Sequence, residues 1–309
     1  MIINASARTD IPAYFSDWFF QRLKEGYVYV RNPYYPKQIT KYLLNEDVVD
    51  SLVFCSKNPQ PMLSRISLLK PYHPYFFVTI TPYGQEIEPH VPTYQQVIQS
   101  FQELSRQLGS QSVVLRYDPI FLNKYYTIEK HLECFEDILS QLSGYTQICI
   151  ISFIDLYAKT KKNFPGIQEV SYENQKLLAK AMSEIAQKYH IQLKTCAEAI
   201  DLSAYGIQQD GCISRQVLKN VIGCDLKDIR TQPLRAQCHC YPSRDIGEYN
   251  TCMHGCLYCY ANVDKKQVIL NYKRHDYLSP LLIGHVHSDD EMKQAKQESY
   301  IERQLSLDI

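Results

Sequence analysis

Three cysteines near the carboxyl end of the chain have the residue type and spacing of a metal-binding loop. Cys252, Cys256 and Cys259 form the pattern C-x3-C-x2-C, in a run that also contains His254 and Gly255. Three thiolates on one tight loop can bind three irons of a 4Fe–4S cluster, whereas four protein thiolates close the cluster to other ligands. The spacing therefore predicts a 4Fe–4S cluster with one iron open to a small molecule.

This spacing matches the signature of the radical S-adenosylmethionine (radical SAM) enzymes, and Tyr258 matches the aromatic residue before their third cysteine. The resemblance implies S-adenosylmethionine as a second cofactor, chelated by the open iron, and an electron donor such as flavodoxin or ferredoxin. It also implies reductive cleavage of that cofactor and hydrogen abstraction from a substrate. Those enzymes usually carry the motif after the first strand of their barrel. Its position here predicts either a circularly permuted barrel or an appended loop that folds back.

Zinc gives the motif a second interpretation. Together with Cys238, Cys240, His239 or His254, the three motif cysteines could bind a zinc ion. The protein would then be a zinc-stabilised module that binds nucleic acid or the sliding clamp and has no redox activity. Such modules rarely need as many strands as this chain contains, and the strand pattern therefore favours the enzyme.

Four further cysteines could form a second metal centre. The chain has 11 cysteines, an odd number, and no recognisable export signal, so a disulfide framework is not expected. Cys196, Cys212, Cys238 and Cys240 could hold a second, closed iron–sulfur cluster, could bind zinc, or could bind no metal. The long separations between them leave all three interpretations open.

The elements that position these residues alternate between short apolar runs and amphipathic helices. Candidate strands are residues 2–5, 27–30, 52–55, 75–81, 113–117, 148–153 and 192–196. Most of them are continuously apolar, as in sheets covered on both faces, and helices are predicted after the capping residues Thr93, Thr127 and Ser171. This alternation predicts an α/β fold with a parallel (β/α) barrel, complete or partial and TIM-like.

The barrel is expected to occupy residues 1–210. A cysteine-rich iron–sulfur segment, residues 211–287, is expected to pack on the barrel mouth. A polar tail, residues 288–309, is expected to be helical at first.

Polar residues follow several of the candidate strands. The carboxyl ends of the strands in a parallel barrel converge on the active site. By this position, Arg116, Asp118 and Glu198 are predicted catalytic residues. Thr79 and Thr81, with Tyr258, are predicted to contact the cofactor. The alternative is that Arg116 and Asp118 form a structural ion pair and that the others begin loops or cap helices.

Composition excludes some classes of protein. Lys and Arg total 33, Asp and Glu also total 33, and 45% of residues are hydrophobic. This balance predicts a folded protein that does not bind nucleic acid through bulk charge. No apolar run is long enough to cross a membrane and the start does not resemble a signal peptide, so a cytoplasmic protein without a membrane partner is expected.

Two features indicate a nucleic-acid substrate. Residues 213–275 contain ten Lys or Arg and five Asp or Glu, a local basic surplus whose simpler interpretation is a soluble surface. The end of the chain, from Gln304 to Ile309, is similar to the peptides that dock on the bacterial replication sliding clamp. Docking of this peptide on the protein's own body is the alternative. If the clamp interpretation holds, the substrate is expected to be DNA or a nucleotide lesion.

Several of these segments together resemble the DUF1848 family. The resemblance lies in residues 243–252, 255–256 and 258–262, and also in residues 6–12 and 116–119. It spans nearly the whole chain and implies a carboxyl-terminal cysteine cluster like the amino-terminal one of radical SAM proteins. The family has no assigned function. The strand pattern is similar, more weakly, to spore photoproduct lyase and its DNA-repair-photolyase-like relatives.

Overall fold

The computed structural model describes residues 1–231 and 238–302, which contain two sheets. The strands, in chain order, are β1 (Ile2–Asn4), β2 (Tyr27–Arg31), β3 (Gln38–Leu43), β4 (Ser51–Ser56), β5 (Tyr75–Thr79), β6 (Val113–Ile120), β7 (Ile148–Phe153), β8 (Gln192–Thr195), β9 (Gln208–Gln209), β10 (Ser243–Asp245) and β11 (Glu291–Gln294).

The main sheet has eight parallel strands in the order β10-β1-β4-β5-β6-β7-β8-β9. The first strand lies inside it, because Ile2 is in register with Ser51 of β4 on one side and with Ser243 of β10 on the other. In the described part of the chain, β9 and β10 form the two ends of the sheet and do not pair as strands. The α/β class and a partial TIM-like arrangement are therefore confirmed, and a closed barrel is not formed.

Helices connect the parallel strands. They are α1 (Ile11–Tyr14), α2 (Ser16–Glu25), α3 (Tyr94–Leu108), α4 (Ile128–Leu142), α5 (Ala158–Asn163), α6 (Tyr172–Lys188), α7 (Arg215–Ile222) and α8 (Lys265–Lys273), with 3-10 helices at Gln60–Tyr72 and Ser203–Tyr205. Thr93, Thr127 and Ser171 cap α3, α4 and α6 as predicted, each accepting a hydrogen bond from the third following backbone amide.

The two faces of the main sheet pack into separate apolar layers, because successive residues of a strand point to opposite sides. Ile3 and Phe54 belong to the outer layer, which α2, α3, α4 and α6 cover. Ile2 and Val53 belong to the inner layer, which also contains Leu218 of α7. Burial on both faces explains why the strands of this sheet are continuously apolar.

A small second sheet corrects two predictions. Residues 27–30 were expected in the barrel, but β2 pairs antiparallel with β3 and lies outside the main sheet. The tail was expected to begin as a helix, but its residues 291–294 form β11, which pairs parallel with β3. Strand β11 lacks an apolar face and β2 is mostly half-buried, and the backbone groups of β3 pair with them on either side.

The two end strands of the main sheet were not predicted. Strand β9 consists of two glutamines and β10 of Ser-Arg-Asp, so neither shows an apolar run. Strand β10 places residues of the cysteine-rich segment directly beside β1. Within the described residues, no helix is both long and apolar enough to cross a membrane.

Candidate metal centres

The motif loop, residues 251–262, lies against the carboxyl ends of the first strands of the main sheet. It follows β10, and Thr251 donates a hydrogen bond from its hydroxyl to that of Thr9, in the loop after β1, at 2.7 Å. The backbone amide of His90 donates to the carbonyl of His254 at 3.0 Å, and that of Leu257 donates to Ile87 at 3.0 Å. The loop is thus anchored to the segments that follow β1 and β5.

Asp10 and His254 form a buried link between β1, β4 and the motif loop. The imidazole Nε2 of His254 lies 2.8 Å from Oδ2 of Asp10, and its Nδ1 lies 3.0 Å from the hydroxyl of Tyr14. Asp10 also accepts hydrogen bonds from the Ser56 hydroxyl and the Lys57 amide at 2.7 and 2.8 Å. Both ring nitrogens of His254 are therefore engaged, and His254 positions the loop instead of presenting a ligand atom.

Cys252, Cys256 and Cys259 are half-buried, and Cys252 and Cys256 line a cleft of about 170 Å³ together with Lys265 and Ile269 of α8. Burial raises the pKa of each thiol, and at Cys252 the charges of Asp10 and of the other two cysteines raise it further. A cationic group held between the three sulfurs would reverse this effect and stabilise the thiolates.

The three motif thiols suit a multinuclear cluster better than a single ion. Among the described residues, they are not a group whose ligand atoms approach closely enough to share one ion. The irons of a 4Fe–4S cluster occupy separate corners of a cube, and its thiolates are spread correspondingly. The donor set, the short loop and the partial exposure all fit a cluster with an open iron.

A charged network next to the motif was missed at the sequence level. Glu88, only 3% exposed, accepts hydrogen bonds from Lys57 Nζ and the Thr81 hydroxyl at 2.9 and 2.8 Å, and also from the hydroxyl of Tyr258. Burial acts to lower the pKa of Lys57, but the charges of Glu88 and Cys256 outweigh it and raise that pKa. Lys57 is therefore a cation beside the motif. Glu88 lies in a loop without a recognisable pattern, so only the three-dimensional structure reveals it.

The predicted catalytic residues lie, like the motif loop, at the carboxyl ends of the strands of the main sheet. Arg116 and Asp118 form an ion pair, with Nε 3.1 Å from Oδ2, and both side chains are mostly buried. Glu198 accepts hydrogen bonds from the Ser152 hydroxyl at 2.6 Å and the Phe153 amide at 3.0 Å. Burial raises the pKa of Glu198 to about 7.

The predicted cofactor residues do not form one group. Thr81 and Tyr258 meet at Glu88, as described above. Thr79 is buried in the inner row of β5, where its hydroxyl interacts with the thiol of Cys55. Thr79 is therefore oriented toward the interior of the partial barrel.

A second group of cysteines lies where the two ends of the main sheet approach each other. The sulfurs of Cys196, Cys212 and Cys240, here called the seam cluster, all lie within 4.8 Å of one another. Of the described residues, this is the group whose spacing could hold a metal ion. Cys238, the fourth predicted member, is not part of this close group but is buried in the same apolar layer as Cys196 and Cys240.

The electrostatics of the seam cluster are uneven. Hydrogen bonds from the neighbouring thiols of Cys212 and Cys240, helped by the charge of Arg116, lower the pKa of Cys196. Contacts with Cys196 and Cys240 raise the pKa of Cys212, and the contact with Cys196 raises that of Cys240 to about 12.

Among the described residues, the ligands of the zinc site predicted around the motif do not form one close group. Cys240 belongs to the seam cluster, His239 is exposed, and His254 is bound by Asp10 and Tyr14. The clamp-like peptide from Gln304 to Ile309 lies outside the described residues.

Comparison with known proteins identifies a family whose sequences this chain resembles. The sequence model of a family described as "Domain of unknown function (DUF1848)" matches residues 2–261. No curated protein matches. A solved structure from Bacteroides thetaiotaomicron, of a protein described as a proposed alpha-L-fucosidase, is 12% identical with a TM-score of 0.28. The similarity covers 52% of this chain and 46%, less than half, of that one. A resemblance this weak carries no inference, and the similarity to spore photoproduct lyase stays a prediction.

Proposed function

We propose that this chain, which belongs to the DUF1848 family, is a radical SAM enzyme whose catalytic 4Fe–4S cluster is held by Cys252, Cys256 and Cys259. The observation that carries the proposal is the position of three half-buried thiols, in C-x3-C-x2-C spacing, at the carboxyl end of a parallel sheet. When bound, the cluster and S-adenosylmethionine would supply one-electron cleavage of a sulfonium bond and hydrogen abstraction.

The chain's own residues would orient the motif and exclude water from it. Asp10 and His254 hold the loop on β1, and the side-chain amide of Asn262 donates to the carbonyl of Cys252 at 2.7 Å. Beneath the loop, Tyr258 packs against Tyr83 with ring centroids 6.0 Å apart. These contacts would keep the three sulfurs in a fixed arrangement, which a metal centre requires for a defined coordination.

The polar residues at the strand ends would bind the cofactor and substrate. Arg116 and Lys57 are cations at the edge of the sheet and are suited to carboxylate or phosphate groups. Asp118 and Glu198 would accept hydrogen bonds from hydroxyl or amino groups. Together with the basic surplus of residues 213–275, these cations favour a nucleotide or nucleic acid as substrate.

The proposal extends to partners and location. A cytoplasmic flavodoxin or ferredoxin would donate the electron. The peptide from Gln304 to Ile309, with its Q-L-x-L-x-hydrophobic pattern, would bring the enzyme to DNA through the sliding clamp. Both partners rest on the sequence alone.

The decisive experiment measures 5′-deoxyadenosine formed from S-adenosylmethionine by the anaerobic, iron-loaded protein with a strong reductant. Wild type should form it, and Cys256→Ala should form at least about 100-fold less, because the cluster loses one of its three ligands. Cys134→Ser is the matched control, since Cys134 is a buried cysteine of α4 outside both metal centres.

Three results bear on the proposal. Wild-type activity that Cys134→Ser retains and Cys256→Ala loses supports it. A fully iron-loaded wild type that forms no deoxyadenosine contradicts it. A colourless protein that contains no iron, and whose zinc is lost in Cys256→Ala, would favour the zinc-stabilised binding module in its place.

A further inference from the structure

We propose that Cys196, Cys212 and Cys240 bind a single tetrahedral metal ion, which joins the two ends of the open sheet. The thiolate ligands identify this ion as zinc. The site is separate from the motif loop and does not depend on the proposed catalysis. Cys196 follows β8, Cys212 follows β9, and Cys240 precedes β10. An ion at this place would therefore connect β10 to the opposite end of the same sheet.

The distances select one ion and exclude a second four-iron cluster. A zinc–sulfur bond of about 2.3 Å places tetrahedral thiolates roughly 3.8 Å apart. The sulfurs of Cys212 and Cys240 lie 3.5 Å apart, and all three sulfurs lie within 4.8 Å. Thiolates that cap different irons of a cube need wider spacing. Of the alternatives weighed from the sequence, zinc fits and the cluster does not.

The backbone brings the two ends together at the same point. The amide of Tyr241 donates to the carbonyl of Ile213 at 2.8 Å, beside the seam cluster. A Cβ added to Gly211 would lie 2.5 Å from the carbonyl oxygen of His239 and 2.9 Å from the amide of Cys240. Glycine at 211 is therefore required for this close approach, which places Cys212 opposite Cys240.

Two neighbouring side chains would stabilise cysteine thiolates that are bound to a metal ion. Arg116 is a buried cation whose charge acts on both Cys196 and Cys212, and it would offset the negative charge of a zinc ion with three or four thiolates. Tyr75 is 1% exposed, interacts electrostatically with Cys212 and Cys240, and its hydroxyl has no hydrogen-bond partner in the described chain. A metal-bound thiolate would give this hydroxyl an acceptor, as buried polar groups require.

Cys238 lies outside the close group of sulfurs and would have to move toward it to supply the fourth ligand. It lies two residues before Cys240 and is 8% exposed in the same apolar layer. Four thiolates would make the site closed and structural, like other four-cysteine zinc sites. Binding releases the protons of the ligating thiols to solvent and involves no change in oxidation state.

The first test measures zinc, iron and sulfide in full-length protein purified anaerobically, with Cys212→Ser, Cys256→Ala and the control Cys134→Ser. Wild type and Cys134→Ser should contain about one zinc and about four irons. Cys212→Ser should lose the zinc and keep the iron, and Cys256→Ala should do the reverse. Failure of the proposed function would show as wild-type protein that lacks the four irons but keeps its zinc, and it would leave this inference unaffected. One iron in place of zinc, lost in Cys212→Ser, would still support a single-ion site.

Several results would overturn the inference. Loss of about four irons in Cys212→Ser would indicate a cluster at the seam. A disulfide between Cys212 and Cys240 in anaerobic protein, or no metal after zinc is supplied to reduced protein, would remove the site.

A second test does not depend on Cys212→Ser folding. Cobalt added to metal-free Cys256→Ala should produce the intense visible bands of a tetrahedral cobalt–thiolate site at one equivalent per chain, and their absence would contradict the inference. Gly211→Ala, which keeps every thiol, should weaken cobalt binding at least about tenfold by separating the backbones. Gly84→Ala is its control, because the added Cβ meets only the flexible Glu86 side chain. Equal cobalt affinity in the two variants would argue against a site built by this close approach.

Discussion

The motif loop and the seam cluster each gather three cysteines, but by opposite routes. In the motif loop the cysteines lie within eight residues of one another, and the loop is attached to the sheet by side-chain contacts such as Asp10 with His254. In the seam cluster Cys196 and Cys240 are separated by 43 intervening residues, and the parallel sheet itself brings them together. One arrangement is local and half-exposed; the other is long-range and mostly buried.

This difference separates two roles that the same residue type can fill. A local loop can leave a coordination position open, because one side of the metal faces the cleft and not the protein. A site assembled from different strand ends is enclosed by the sheet, and its metal stabilises the fold. Loss of the motif loop should therefore affect chemistry more than stability, and loss of the seam should do the reverse.

The largest effect is expected from removing the anchor of the motif loop. Asp10→Ala should lower the free energy of unfolding by about 3 kcal/mol, because it removes the buried partner of His254 Nε2 and the acceptor of the Ser56 hydroxyl proton. Iron content should fall while seam zinc is retained, as measured by urea unfolding and metal analysis. Asp17→Ala is the control, since Asp17 pairs with Arg65 at the exposed surface and should have little effect. Equal loss of zinc and iron in Asp10→Ala would show that the two regions are not independent.

Acid is expected to weaken the side of the molecule that supports the motif. His131 is fully buried, its Nε2 lies 2.8 Å from the Phe121 carbonyl, and Phe121 packs near Tyr258. Burial lowers the pKa of His131 from 6.5 to about 4. Between these values the unfolded chain binds more protons, so the free energy of unfolding should fall by about 3 kcal/mol as the pH drops from 7 to 4.

The measurement compares urea unfolding of wild type and His131→Gln at both pH values. The variant should lose less stability on acidification, and the difference between the two proteins removes acid effects that they share, including protonation of the metal ligands. Parallel pH profiles would show that His131 does not contribute to the acid sensitivity.

The smallest effect is expected from a single contact beneath the loop. Tyr258→Phe removes the hydrogen bond to Glu88, which keeps its contacts with Lys57 and Thr81, and should cost about 1.5 kcal/mol. Tyr260→Phe is the matched control, because its hydroxyl donates to the neutral carbonyl of Ala7 and should cost less. A larger loss of stability in Tyr260→Phe than in Tyr258→Phe would indicate that the main support of the loop is the segment after β1 and not Glu88.

Sequence patterns predicted the parts of this molecule that depend on local rules. The apolar runs of β4 to β8 and the caps of α3, α4 and α6 follow from burial and from backbone hydrogen bonding within a few residues. The C-x3-C-x2-C spacing is local in the same sense. The short polar strands β9 and β10 carry no such pattern, because their positions are set by their neighbours in the sheet.

The seam cluster shows why long-range sites are harder to predict. Cys196, Cys212 and Cys240 were proposed together with Cys238, but no spacing rule relates residues on three different segments. Whether they share an ion depends on how far the sheet curves and on the close approach at Gly211. Glu88 was missed for a similar reason, since its partners Lys57 and Tyr258 are distant in the sequence.

The position of β1 between β4 and β10 also has a consequence for biosynthesis. Ile2 pairs with Ser243, so one edge of β1 stays open until β10, far later in the sequence, has been made. Residues 240 and 252–259 emerge equally late. Neither proposed centre can be completed before these late residues have been synthesised. During translation, the exposed edge of β1 is a place where a chaperone could protect the chain from aggregation.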